Sequence, residues 1–306
     1  EATTHIELYF EKHPRLKERQ EIFVGRNAQI GLFEERMDDF EREKPICVVA
    51  SGINSVGRRT LLKKCITKSN IKKYSYPFPK INLNYDESIE DFILKLFDLG
   101  LTKTIDIYNL MTLELEEKLN IIIDMIVEIQ DQEELILIED NGSLIDHNGE
   151  MAKWFSDLLS NPKIKSKLTF CIVSKFRLQH FADDVSYNIR EKIFWFGVEE
   201  LTPKERRGLL SRYLQFEEIE LELEDIRLLS DLLAGFPEQI FYAVTLLKEK
   251  GIDYVRRNTY QIVEYNNKKA SIIIKDIEEN DNKIALLALL SKFDYVSIKN
   301  LFRKSR

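Results

Sequence analysis

Residues 51–60 read Ser-Gly-Ile-Asn-Ser-Val-Gly-Arg-Arg-Thr and follow directly on the apolar run Ile46-Cys-Val-Val-Ala50. Gly52 and Gly57 have the spacing of a loop that wraps its backbone around phosphate, where the second glycine precedes Lys and then a hydroxyl residue. A turn of this kind between strand and helix aims several N–H groups at one point. The helix N-terminus adds partial positive charge there. Arg58 stands in the Lys position, and its planar fork suits phosphate oxygens. Arg59 stands in the hydroxyl position, where it cannot ligate a cation, and Thr60 comes one place late. Thr60 substitutes only if the helix starts one residue later than usual. Taken alone, the loop reads equally as a phosphate cradle or as an ordinary corner with two glycines and exposed arginines.

A second stretch, Leu135-Ile-Leu-Ile-Glu139-Asp140, is an apolar run closing in adjacent carboxylates. Such a strand delivers acid to the C-terminal edge of a sheet, where open α/β folds bind ligands. One carboxylate suits Mg2+ held through water, and the other suits polarising an attacking water. The plain alternative is a strand ending in solvated acids before the turn Asn141-Gly142. Its place on the third strand, behind a glycine loop on the first, weighs against that alternative.

Both stretches need elements to hold them. The runs at 46–50, 79–84, 135–140, 168–174 and 193–198 predict strands. Between them lie helical patterns: TLLKKCI, then SIEDFILKLFDLG with Asp86 or Ser88 as N-cap, then TLELEEKLNIIIDMIVEIQ, then GEMAKWFSDLLSN. Alternation of this kind predicts an α/β fold, a parallel sheet with helices on both faces. Beyond residue 198 the pattern is helical. Thr202-Pro-Lys-Glu205 is a capping box, LEDIRLLSDLLAG is expected to end at Gly235, and Pro237 can open EQIFYAVTLLKEKG. The polar stretch EYNNKKAS then precedes a last unit containing KIALLALLSKF and SIKNLFRKS.

The order Phe23-Val-Gly-Arg26, SGINSVGRRT, LILIED, Cys171-Ile-Val-Ser-Lys175 and Gly235-Phe-Pro237 resembles the STAND-type P-loop NTPases, the nucleotide switches of NB-ARC and bacterial NLR-like proteins. The resemblance spans about residues 20–306. It implies a linker or the end of a preceding domain over 1–20 and a nucleotide-binding P-loop NTPase domain over 21–200. A helical lid over 201–265 and the start of a winged-helix domain over 266–306 would follow. It places Val24, Gly25 and Arg26 near adenine and ribose. Gly52, Asn54, Ser55, Val56, Gly57, Arg58, Arg59, Thr60 and Leu61 would line the phosphates. Glu139 and Asp140 would form the Walker B end, with Thr60 and Asp140 as the metal candidates. Lys175 falls where the family has a sensor Arg, and Pro237 would close over the base. The implied ligand is ATP or ADP. Arg58, Arg59 and Lys175 depart from the family pattern and place fast hydrolysis and Mg2+ dependence in question.

The same resemblance implies a switch that self-associates when triggered, with a hinge at residues 198–202. A TIR-like N-terminal effector and a C-terminal sensor would flank it, in bacterial defence against phage. Two other readings stand beside it: an active AAA+-like ATPase that remodels a nucleic-acid or protein partner, and a scaffold with a dead phosphate site.

Composition narrows the classes. Of the 306 residues 44% are hydrophobic and 32% charged, a normal soluble globular balance. A net charge of −7 disfavours general attraction to nucleic-acid phosphate. Cys47, Cys65 and Cys171 are scattered and read as buried free thiols of a reducing compartment. His5, His13, His147 and His180 share no ligand spacing with them. No apolar run approaches membrane-spanning length and no secretory pattern appears, so a cytoplasmic protein without a membrane partner is expected. The beginning at EATTHIELYF and the stop after FRKSR suggest a fragment of a longer polypeptide.

Overall fold

The structure is a computed structural model that describes residues 22–68, 78–101, 107–178, 180–181 and 185–265. The expected linker over 1–20 and the winged-helix start over 266–306 lie outside these residues. The chain divides into two compact units. The first is Phe23–Glu205 with Phe236–Glu238, and the second takes Arg206–Gly235 and, of the described residues, 239–265.

The first unit holds a five-stranded parallel sheet of β1 (Cys47–Ser51), β2 (Lys80–Leu83), β3 (Ile136–Asp140), β4 (Phe170–Ser174) and β5 (Ile193–Gly197). The strand order is β2-β3-β4-β1-β5. All five predicted strands are present, each within two residues of its expected bounds. β1, β3 and β4 are near-continuous apolar runs because both faces of a parallel sheet are covered.

The helices of this unit are α1 (Asn27–Asp38), α2 (Arg58–Lys68), α3 (Ile89–Phe97), α4 (Ile107–Leu110), α5 (Leu115–Asp131), α6 (Lys153–Ser160) and α7 (Tyr187–Glu191). α8 (Pro203–Phe216) begins at its end. Of the two N-cap candidates for α3, Ser88 caps: its hydroxyl accepts from Asp91 N–H at 3.4 Å while Asp91 accepts from Ser88 N–H at 2.9 Å. The connection from β1 runs to β2 at one edge, whereas those from β2, β3 and β4 all run the other way. With crossovers of one hand, this must put α2 on one face and α3, α5 and α6 on the other. The buried side chains divide accordingly. Ile30, Phe33, Leu61, Leu62, Cys65 and Ile66 of α1 and α2 pack on Val48, Ala50, Leu135 and Leu137. Phe92, Ile122, Ile126, Phe155 and Leu158 pack on Cys47, Val49, Ile136 and Ile138.

The second unit is helical: the body of α8, α9 (Leu223–Leu232), α10 (Pro237–Lys250) and α11 (Ile252–Arg257). Tyr213 and Phe241 meet with ring centroids 4.8 Å apart. The fully buried Gln239 side chain accepts from Ala234 N–H at 2.7 Å and donates to the Ile262 carbonyl at 2.9 Å. Arg256 grips Asp225 through two bonds of 2.7 and 2.8 Å. α9 stops at Leu232, short of the expected Gly235, which instead takes a positive φ of 97° in the connection to Pro237.

Candidate functional site

The glycine loop leaves the C-terminal edge of β1 between β4 and β5. Ser51 pairs in register with Ser174 on one side and Gly197 on the other, and Asp140 pairs with Ser174 in turn. A Cβ added at Gly52 would lie 2.4 Å from the Val198 carbonyl oxygen, so only glycine lets the loop pass β5. Gly57 has φ 92°, and the Pro237 ring lies 3.8 Å from where its Cβ would be. The segment Phe236–Glu238 therefore returns to the loop within the first unit. Ser55 takes φ 71° without being glycine, and Val56 is buried against the α1–α2 core.

The Leu61 N–H donates to the Gly57 carbonyl at 2.9 Å, so Gly57 caps α2 and the helix starts at Arg58, not one residue later. Arg58 and Arg59, not Thr60, thus occupy the first positions of the helix. Thr60 is exposed, and the Leu61 side chain is buried in the core, leaving only its backbone near the loop. Arg58 donates through Nη2 to Asn54 Oδ1 at 2.6 Å and through Nη1 to the Ser174 carbonyl. Burial, helped by neighbouring Arg59, pulls the Arg58 guanidinium down to about 10.

Strand alternation separates the two acids of β3. Leu135 and Leu137 belong to the α1–α2 core and Ile136 and Ile138 to the opposite one, so Glu139 shares the face of α2 and Asp140 does not. The contacts follow. Glu139 forms ion pairs with Arg59 and, at 2.9 Å, with Lys80 from β2. Burial lowers the Lys80 ammonium, and Arg59 lowers it further. Asp140 is 1% exposed and holds the turn after its own strand. Its Oδ1 accepts from the N–H groups of Gly142, Ser143 and Leu144 at 3.1, 2.8 and 3.0 Å, and its Oδ2 from Ile145 N–H at 3.0 Å. Burial raises its carboxyl against these four bonds.

Mg2+ needs hard oxygen ligands in near-octahedral array. On the face of α2 the acid is already paired with two cations, and Asp140 is committed to backbone N–H groups. Among the described residues no group of three or more His, Cys, Asp or Glu converges. The side chains present do not fit a metal between loop and strand.

Val24, Gly25 and Arg26 make the approach to the loop. Arg26, at φ 61°, is buried and donates from Nη2 to the Val56 carbonyl at 3.3 Å and to the Glu199 carbonyl. Its guanidinium therefore ties the approach to the loop itself. Burial lowers it, opposed by Glu205, Glu199 and Glu200. A Cβ on Gly25 would fall 1.9 Å from the Glu205 carboxylate, which accepts Arg26 N–H at 3.2 Å. Lys175 follows the last residue of β4, donates its N–H to the Asp140 carbonyl at 3.3 Å and lays its ammonium 5.2 Å from the Phe176 ring centre. Sequence reasoning missed Lys80, Glu205 and the Ser174 carbonyl. Only for Glu205 was there a signal, its place in the capping box.

This arrangement, a glycine loop on a central parallel strand with an acid-tipped strand one removed, is the P-loop NTPase fold. Similar solved structures include a Walker-type ATPase of Pyrococcus abyssi at 15% identity and TM-score 0.54, covering 92% of this chain and 88% of that one. DnaA of Aquifex aeolicus with AMPPCP is similar at 16% identity and TM-score 0.49, covering 78% of this chain and 67% of that one. The Aeropyrum pernix ORC2 protein is similar at 12% and 0.48, covering 73% and 62%. No protein-family model matches the chain, and no curated protein matches it. Among the described residues no helix is long and apolar enough to cross a membrane.

Proposed function

We propose that this chain binds an adenine nucleotide at the loop 52–60 and acts as a signalling switch of the STAND type, with hydrolysis slow or absent. The observation that carries the reading is the concentration of cations at one helix N-terminus. Arg58 and Arg59 open α2, and Lys80 stands beside them across Glu139. A phosphate chain suits that environment, and the P-loop fold supplies the frame. The likeness to a Walker-type ATPase supports nucleotide use. Slow hydrolysis is inferred because Glu139, the β3 acid on this face, is already paired with Arg59 and Lys80. Pro237 beside Gly57 suits a lid residue that senses occupancy. Self-association on triggering, a TIR-like effector, a C-terminal sensor and a role in antiphage defence belong to this proposal and rest on the motif order alone.

An active AAA+-like ATPase is the second reading, favoured by the Walker-type fold. The test is to denature the purified protein without added nucleotide and identify what is released by ion-exchange chromatography with mass detection. A melting experiment with ADP, ATP and neither accompanies it, since a ligand that binds only the folded state must raise stability. Released or stabilising adenine nucleotide with negligible turnover is expected. Steady Mg2+-dependent turnover supports the second reading, and an empty supernatant with no thermal shift overturns both.

A further inference from the structure

We propose that Arg59 is the built-in counter-ion of this phosphate site, standing where P-loop proteins use a divalent metal, so that nucleotide binds here without metal. The inference rests on the nucleotide reading above and concerns how that same site is regulated. In a metal-dependent P-loop the cation sits between the hydroxyl residue after the loop and a strand acid, and bridges both to phosphate. In this chain the hydroxyl position is Arg59, and its guanidinium already lies on Glu139, the acid that shares the face of α2. The two positions that a metal would bridge are joined directly.

Three observations make the pair more than a surface contact. Glu139 is held from two sides, by Arg59 and by Lys80 at 2.9 Å, so it carries no charge to spare for an incoming dication. Arg58, the next residue along, is bridged to Asn54 and Ser174, and therefore does not compete for Glu139. The Arg59 side chain remains 52% exposed, against 27% for Glu139, so its fork has a free edge. A guanidinium carries donors along more than one edge. One edge satisfies Glu139 while another meets phosphate oxygens, which is the bridging geometry of the metal achieved with hydrogen bonds. A divalent cation approaching the same spot meets Arg59 and Lys80 as like charges and finds Glu139 already paired with both.

The switch would then respond to nucleotide identity and concentration but not to magnesium. The experiment is calorimetric titration of ADP into the wild-type protein and into Arg59→Thr, each in excess EDTA and in millimolar Mg2+. Wild-type affinity is expected to agree between the two conditions within about threefold, well under the roughly tenfold that one lost charge-assisted contact produces. Arg59→Thr is expected to bind roughly tenfold or more weakly in EDTA and to recover in Mg2+. Its melting temperature without ligand reports whether it is folded. A wild-type gain of about tenfold or more on adding Mg2+ overturns the proposal while leaving nucleotide binding intact, whatever the variant does. Failure of the wild type to bind ADP in either buffer overturns the nucleotide reading and this inference together.

Discussion

Arg58 holds Ser174: the first side chain of α2 donates to the last carbonyl of β4, and its other branch takes Asn54 Oδ1 at 2.6 Å. The glycine loop is thereby fastened to a strand that enters the chain more than a hundred residues later. The same guanidinium stands in the Lys position of the glycine loop, so under the proposed nucleotide reading loop shape and ligand affinity both depend on it. Arg58→Ala should lower unfolding free energy by about 1–2 kcal/mol and weaken ADP roughly tenfold or more. Arg58→Lys, a point charge without the fork, should restore part of the affinity but not the bridge. Urea unfolding and calorimetry on the same preparations separate the two effects.

Glycine is required at one position and dispensable at another. Gly52→Ala forces a Cβ onto the Val198 carbonyl oxygen at 2.4 Å, a backbone atom that cannot turn aside. A loss of about 1–3 kcal/mol or more is expected. Gly31 lies inside α1 with nothing within 4 Å of its added Cβ, and Gly31→Ala should gain about 0.5–1 kcal/mol. Chemical denaturation of both variants checks the contrast.

The two acids of β3 should behave oppositely. Asp140→Ala strips the acceptor from four backbone N–H groups in a buried turn and should cost about 3 kcal/mol or more. Glu139→Gln loosens a partly exposed ion-pair cluster and should cost only about 0–1 kcal/mol. Equal losses for the two would contradict the division of faces.

Glu205 gives a pH dependence with a definite sign. Burial pushes its carboxyl up, but hydrogen bonds from Thr202 N–H, Thr202 hydroxyl and Arg26 N–H together outweigh it and leave it below its usual 4.5. A carboxyl depressed on folding adds stability above its unfolded value, and that contribution disappears as pH falls through the folded value. The stability difference between wild type and Glu205→Gln should therefore be present at neutral pH and shrink below about pH 4.5. Urea midpoints across that range measure it.

Much of the frame was legible in the sequence because burial leaves a period. Parallel strands covered on both faces read as unbroken apolar runs, and capping boxes such as Thr202-Glu205 mark helix starts by side-chain chemistry that acts within one turn. α1, α4, α7 and α11 were not predicted. α1 bears exposed Leu32 beside buried Arg36, so its apolar stripe is broken. The site was harder to read because its contacts are long-range. That Arg59 meets Glu139, or that Lys80 completes the pair, depends on strand order, which no local pattern carries. The split between Glu139 and Asp140 could have been inferred from alternation alone, once α2 was assigned to a face.

The bond from the Ser51 hydroxyl to the Phe196 carbonyl, like the packing of Gly52 on Val198, joins positions 145 residues apart in the first case. During synthesis the glycine loop leaves the ribosome first and then waits, at about 5–20 residues per second, roughly 7–30 s for its last neighbour. Until β5 arrives the loop has no wall on that side, and the turn at Gly52 has nothing to pack against. The last strand of the sheet to be made is thus the one that gives the first loop its shape.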